Sequence, residues 1–362
     1  MHIGFIGASG KVGRVAIQNF YANNEIEDIR LTLYSPRPGK DRGLLLDIEG
    51  HLLMMPDIKK ERFVSISAKA TDRFEDMKGA DLIVISAGLW PSKEQREEFE
   101  KFDATGRMVQ TYANYGLIAY FSKQISLVAP DALVVIVTNQ TDMMSEVARQ
   151  FLRAENILGY GGILDSSRFR MLLSKEENGE DKSAVVRCDE KEKGHIIGYH
   201  NNDMILLSSS LATKTNPISV QHALDETRKQ GGVIAVMQRD PRSASMATGA
   251  SIAPGYGVYR AMAALTGQLP IEEAFNVVLT DECIAKKYGV PKGASLSIPV
   301  SLRRGTYEVI SRFAVSAEEQ THLSAAHKRF ILDVEKVAMD MKKPERKPTS
   351  IYAQASTIFD PA

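Results

Sequence analysis

The run Gly7-Ala8-Ser9-Gly10-Lys11-Val12-Gly13 limits what this chain can fold into more than any other segment. It follows a short apolar stretch, residues 3–6, and opens an amphipathic one. Glycine lets the backbone turn tightly and approach a pyrophosphate, and a helix N-terminus supplies free N–H groups and a favourable dipole. A glycine run alone is only a turn. Between a strand and a helix, at the head of a βαβ unit, it predicts a dinucleotide site. Gly7, Ala8, Gly10, Lys11, Val12 and Gly13 are therefore candidate cofactor contacts.

The organisation around the run agrees with it. Apolar runs at 3–6, 31–34, 63–66, 82–86 and 133–138 alternate with longer helical patterns, of which 97–125 is one. Nearly continuous Val/Ile/Leu runs are how strands read when both faces of a parallel sheet are covered. The expected fold is α/β: an N-terminal Rossmann-type, doubly wound parallel sheet over 1–145, then an α+β domain over 146–341. Residues 317–341 read as a long amphipathic helix, and 342–362 as a tail with three prolines and no periodicity. The charged stretch 175–193 reads as a solvated loop or hairpin.

Composition narrows the class. Forty-five Lys plus Arg balance forty-five Asp plus Glu, so no global field favours nucleic acid or a membrane surface. Two cysteines, Cys188 and Cys283, in 362 residues suit a reducing compartment rather than a disulfide framework. The N-terminus has neither the basic nor the long apolar region of a signal peptide, and no run of apolar residues is long enough to span a bilayer. The expectation is a cytoplasmic protein with a small-molecule substrate.

The second strand should end in an acid that holds the ribose 2′-hydroxyl. Here it ends Leu33-Tyr34-Ser35-Pro36-Arg37-Pro38. Ser35 stands where the acid is expected, and Arg37 is placed to pair with a 2′-phosphate. The cofactor reading is NAD or NADP, with Ser35 and Arg37 as the residues that decide it.

Four further motifs follow in order: Asp81-Leu82-Ile83-Val84-Ile85-Ser86-Ala87-Gly88; Val137-Thr138-Asn139-Gln140-Thr141-Asp142; Gly161-Gly162-Ile163-Leu164-Asp165-Ser166-Ser167-Arg168-Phe169-Arg170; and Gly198-Tyr199-His200-Asn201-Asn202-Asp203-Met204. With the glycine loop, this series resembles the lactate/malate dehydrogenase family over nearly the whole chain. The resemblance implies hydride transfer between a nicotinamide cofactor and a small 2-hydroxy acid. The proton that accompanies hydride needs a group titrating near neutrality, for which His200 is the candidate. Asp165 would orient its imidazole. Arg168, three residues on and on the same helical face, would clamp the substrate carboxylate through its fork.

The resemblance also implies that Asn139 touches substrate and nicotinamide ribose, and that Ala87 and Gly88 line the cofactor site. Arg96, in the loop after the fourth strand, would stabilise the developing alkoxide. Arg170 reads as a structural ion-pair partner. The sequence departs from the family at three places. The arginine-bearing PRKPG-like run of malate enzymes is missing, leaving Lys93 as the cation for a distal carboxylate. Gln140 replaces the usual proline, and Asn201-Asn202 replaces Gly-Asp. The GAxG loop start and Lys93 favour malate/oxaloacetate, with lactate or another 2-hydroxy acid as the alternative. A pocket hydroxyl is expected from Thr248 or Ser251. The family also implies a homodimer or homotetramer.

Two rival readings are weaker. Tyr288-Gly289-Val290-Pro291-Lys292 has the Tyr-x-x-x-Lys spacing of short-chain dehydrogenases, but Gly and Pro in the spacer oppose a helix there. A non-catalytic nucleotide sensor would be expected to have lost His200, Asp165 or Arg168, and all three are present. The seven histidines include no HExxH pair, so no metal is expected.

Overall fold

A computed structural model describes residues 1–26, 28–54, 66–89, 97, 107–178, 193–211, 215–237 and 251–342. The glycine run lies between β1 (His2–Ile6) and α1 (Lys11–Asn23). Then come β2 (Ile29–Tyr34), α2 (Gly39–Leu53), β3 (Ile66–Thr71), β4 (Leu82–Ile85), α3 (Arg107–Val128), β5 (Leu133–Ile136), α4 (Thr141–Ala148), β6 (Ile157–Gly159) and α5 (Gly161–Asn178). The remainder is β7 (Lys193–Ile197), β8 (Ile205–Leu211), α6 (Pro217–Met237), α7 (Ile252–Thr266), β9 (Ile271–Val278), α8 (Glu282–Lys287), β10 (Ser295–Arg303), β11 (Thr306–Val309) and α9 (Ala317–Lys342).

The central strands β1, β4 and β5 are buried along their whole length, which is why they read as unbroken apolar runs. They pair in parallel, with Ile3 opposite both Leu31 and Leu82, and Leu82 opposite Leu133. The sheet runs β3-β2-β1-β4-β5-β6 before it changes character. Sequence order reverses between β1 and β4, and a crevice at the carboxyl ends of such strands is where ligands bind in open α/β sheets.

The strand expected at 63–66 lies instead at Ile66–Thr71, and residues 63–65 fall outside the described residues. This is the sheet edge, so its side chains alternate between half-buried and exposed. Lys69, paired with Asp76 at 2.7 Å, disguised it as a polar segment. Beyond β6 the same sheet continues antiparallel: β9 pairs with β6, Leu158 opposite Val277, and β10 and β11 follow. One nine-stranded sheet thus runs through both halves of the chain.

Two packing details fix the ends that matter. Helix α1 lies so close to α7 that a Cβ on Gly255 would sit 2.5 Å from the Val15 Cβ. A smaller apolar cluster, with Phe169, Leu173, Ile196 and Leu206 at its centre, joins α5 to the β7–β8 hairpin. The turn of that hairpin carries His200. Helix α9 begins where the long amphipathic helix was expected and ends one residue later. The charged stretch splits: its first residues finish α5, Lys193 begins β7, and 179–192 lie outside the described residues, as does 343–362. No helix among the described residues is long and apolar enough to cross a membrane.

Candidate active site

At the nucleotide end, Gly7 takes φ +91°, a conformation that L side chains rarely adopt. Space forbids a side chain as well: a Cβ there would lie 2.5 Å from the Ala87 nitrogen. At Gly13 a Cβ would run into the Gly7 and Ala8 carbonyl oxygens. Gly10 N–H donates to Gly7 O at 3.1 Å and closes the turn, and no side chain caps α1. The N-terminus of a helix placed this way favours an anion. This cradle fits a pyrophosphate. Ala87 belongs to the same turn region, its N–H donating to Ile6 O at 3.1 Å. Ser35 ends β2, with its N–H on Thr71 O at 3.0 Å, and its hydroxyl accepts the Arg37 N–H at 3.2 Å. The Arg37 side chain is exposed.

The other end is built on α5. Asp165 and Arg168 share a helical face, as their spacing predicts, with 3.7 Å between Arg168 Nη1 and Asp165 Oδ1. Asp165 Oδ2 accepts the His200 Nδ1 proton at 2.5 Å. An imidazole held through Nδ1 exchanges a proton at Nε2, its other ring nitrogen. Both groups are well shielded: the side chains of His200, Asp165 and Arg168 are 11%, 3% and 12% exposed. The main-chain N–H of His200 is held too, donating to Asp142 Oδ2 at 2.5 Å. A Cβ on Gly161 would press within 3.0 Å of the His200 Cβ, so glycine there lets α5 start directly against the imidazole.

Asp142 was visible only as the last residue of the Asn139 motif. Its contact with a residue 58 positions later could not be read from spacing. Asn139 follows β5, and its amide donates to Gln110 Oε1 on α3 at 2.7 Å. Asn114, one turn further along α3, donates to Asn139 O and Leu89 O and accepts the Leu89 N–H. It ties the ends of β4 and β5 together beside Gly88. The Asn139–Gln140 peptide, where the family has proline, is cis. A cleft of about 500 Å³ opens against His200, and Gln140, Asp142, Asn201, Asn202 and Arg228 also line it.

Arg170 points away from this site, as expected for a structural residue. Both its terminal nitrogens bond the fully buried Glu273 on β9, at 3.1 and 2.5 Å, and Arg260 approaches the same carboxylate at 3.5 Å. Arg96, Lys93 and Thr248 lie outside the described residues, whereas Ser251 stands at the N-terminus of α7. Tyr288 is buried at the end of α8 and Gly289 takes φ +70°, so Tyr288 and Lys292 do not share a helix.

No family model matches the chain. Malate dehydrogenase of Methanosphaera stadtmanae is 28% identical over 210 residues, 58% of this chain and 58% of that protein. The match thus spans under two thirds of that relative's length. Among solved structures, malate dehydrogenase from Plasmodium falciparum superposes with a TM-score of 0.71 at 20% identity, covering 95% of this chain and all of the other. Lactate dehydrogenase from Eimeria maxima with NADH and oxamate gives 0.72 at 18% identity, covering 94% and 95%. These two likenesses are of fold. The chain is thus similar in sequence to a malate dehydrogenase over 210 residues and similar in fold to malate and lactate dehydrogenases.

Proposed function

We propose that the chain is an NAD-dependent oxidoreductase that interconverts a small 2-hydroxy acid and its 2-oxo acid, with malate and oxaloacetate as the pair. The observation that carries this is the shielded Asp165–His200 couple with the Arg168 guanidinium beside it. Nicotinamide, when bound, supplies or accepts the hydride. His200 Nε2 takes the hydroxyl proton during oxidation and returns it during reduction, while Asp165 stabilises the imidazolium in between. Arg168 grips the substrate carboxylate. Asn139, with one amide proton on Gln110, has its second amide proton and its oxygen left for substrate and ribose. Sequence order alone assigns Arg96 to the alkoxide and Lys93 to the distal carboxylate.

Residues 1–145 form the nucleotide-binding part in this reading, 146–341 the catalytic part and 342–362 a tail. The two-cysteine composition supports a cytoplasmic enzyme. Leu46 and Leu53 on α2 and Met54 just beyond it, all exposed, support a homodimer or homotetramer. The absent malate-type arginine run keeps lactate as the second reading. The test is kcat/KM of the purified chain for oxaloacetate, pyruvate and 2-oxoisocaproate, each with NADH and NADPH. Oxaloacetate with NADH should rank first. A pyruvate preference would move the substrate to lactate, and inactivity with all three despite nucleotide binding would leave a sensor.

A further inference from the structure

The acid expected at the end of β2 is absent, but a carboxylate reaches the same place from another element. Asp41 lies in the first turn of α2 and is 0% exposed. Its Oδ1 accepts the Ser9 N–H of the glycine loop at 2.9 Å. Its Oδ2 is buried and has no hydrogen-bond partner among the described residues. Burial pushes the carboxyl above its usual range, while hydrogen bonding from Ser9 and then from Ser35 pulls it back. No cation is among the groups that hold it down. The N-terminus of α2 supplies the remaining support for a negative charge.

A buried acid with one open oxygen and no cation is costly to keep and is more often found where a ligand uses it. It touches the glycine loop on one side and the Ser35 turn on the other, the two segments between which an adenosine ribose sits in this fold.

Resting on the dehydrogenase reading, we propose that Asp41 is the specificity-determining residue of the nucleotide site, replacing the missing strand-end acid and selecting NAD over NADP. Its charge acts from beneath the Ser9–Ser35 rim. A neutral ribose hydroxyl is compatible with it, and a 2′-phosphate is repelled across a region where water does not screen the interaction. Arg37, the only cation of the Ser35-Pro36-Arg37-Pro38 turn, projects into solvent and does not neutralise Asp41.

The test is the dissociation constant of the binary complex with NADH and with NADPH, read by calorimetry, with no substrate present. The wild type should bind NADH at least tenfold more tightly. Asp41→Asn keeps the Oδ1 acceptor for Ser9 and removes only the charge, so the ratio should shift toward NADPH by roughly tenfold to a hundredfold. Ser35→Asp in the Asp41→Asn background should restore the NAD preference. Equal or tighter binding of NADPH by the wild type overturns the inference whether or not the variants fold. So does an Asp41→Asn ratio that stays at the wild-type value while NADH still binds, and in that case the dehydrogenase reading stands. Failure of the wild type to bind either nucleotide overturns both.

Discussion

The two ends of this molecule differ in whether a buried acid faces a cation. At the substrate end two of them do. Asp165 has His200 at 2.5 Å and Arg168 at 3.7 Å, and Glu273 has Arg170 and Arg260. At the nucleotide end Asp41 has hydrogen bonding from Ser9 and Ser35 and no cation among the groups that hold its charge. A matched carboxylate is settled before any ligand arrives, and its geometry is part of the fold. An unmatched one takes its value from what binds. On the proposed function, the contrast is between a preassembled proton-transfer couple and a recognition site that the cofactor completes.

The largest effect should come from breaking the matched end at its reacting group. His200→Asn should lower kcat by about a thousandfold, within the range general acid–base groups supply. The Kd for NADH should stay where it is, because His200 has no part in the glycine loop. Steady-state kinetics beside a binding titration checks both halves. A shift in NADH affinity as large as the loss of kcat would show that the two ends are not independent.

Next in size is Arg170→Ala. It removes the bidentate partner of Glu273, which has no exposure at all, while Arg260 stands further off. Removing one partner of a buried pair commonly costs about 3–5 kcal/mol. Urea unfolding should show a loss of that order, and the Tm should fall with it. KM for substrate in the protein that remains folded should change little. A stable Arg170→Ala protein with a raised KM would put Arg170 in the site.

What could be read in advance divides along the same line. Local patterns were legible: the glycine loop between strand and helix, the buried central strands, the i, i+3 spacing of Asp165 and Arg168, and the extent of α9. Each depends on residues within one or two turns of each other. Asn139 and His200 needed the family resemblance, since a lone Asn or His has no pattern. What stayed hidden depends on distant partners. Asp142 grips the His200 backbone across 58 positions, and Glu273 meets Arg170 across 103. Asp41 meets the glycine loop across 32. The continuation of one sheet through β9–β11 was hidden for the same reason, because antiparallel pairing of Leu158 with Val277 leaves no trace in the local alternation.

The smallest effect separates Arg168 from its neighbour two residues on. Arg168→Lys keeps the positive charge beside Asp165 and removes the planar fork that fits a carboxylate through two parallel bonds. The 3.7 Å approach to Asp165 is longer than a hydrogen bond, so the pair adds little to the fold beyond its charge. Stability should therefore stay within about 1 kcal/mol of the wild type. KM for the 2-oxo acid should rise by roughly tenfold or more, as expected when one strong charge-assisted bond is lost. The same variant should bind NADH normally. If Arg168→Lys instead lowers the Tm as Arg170→Ala does and leaves KM alone, then α5 carries two structural arginines, and the substrate carboxylate must be held by some other cation.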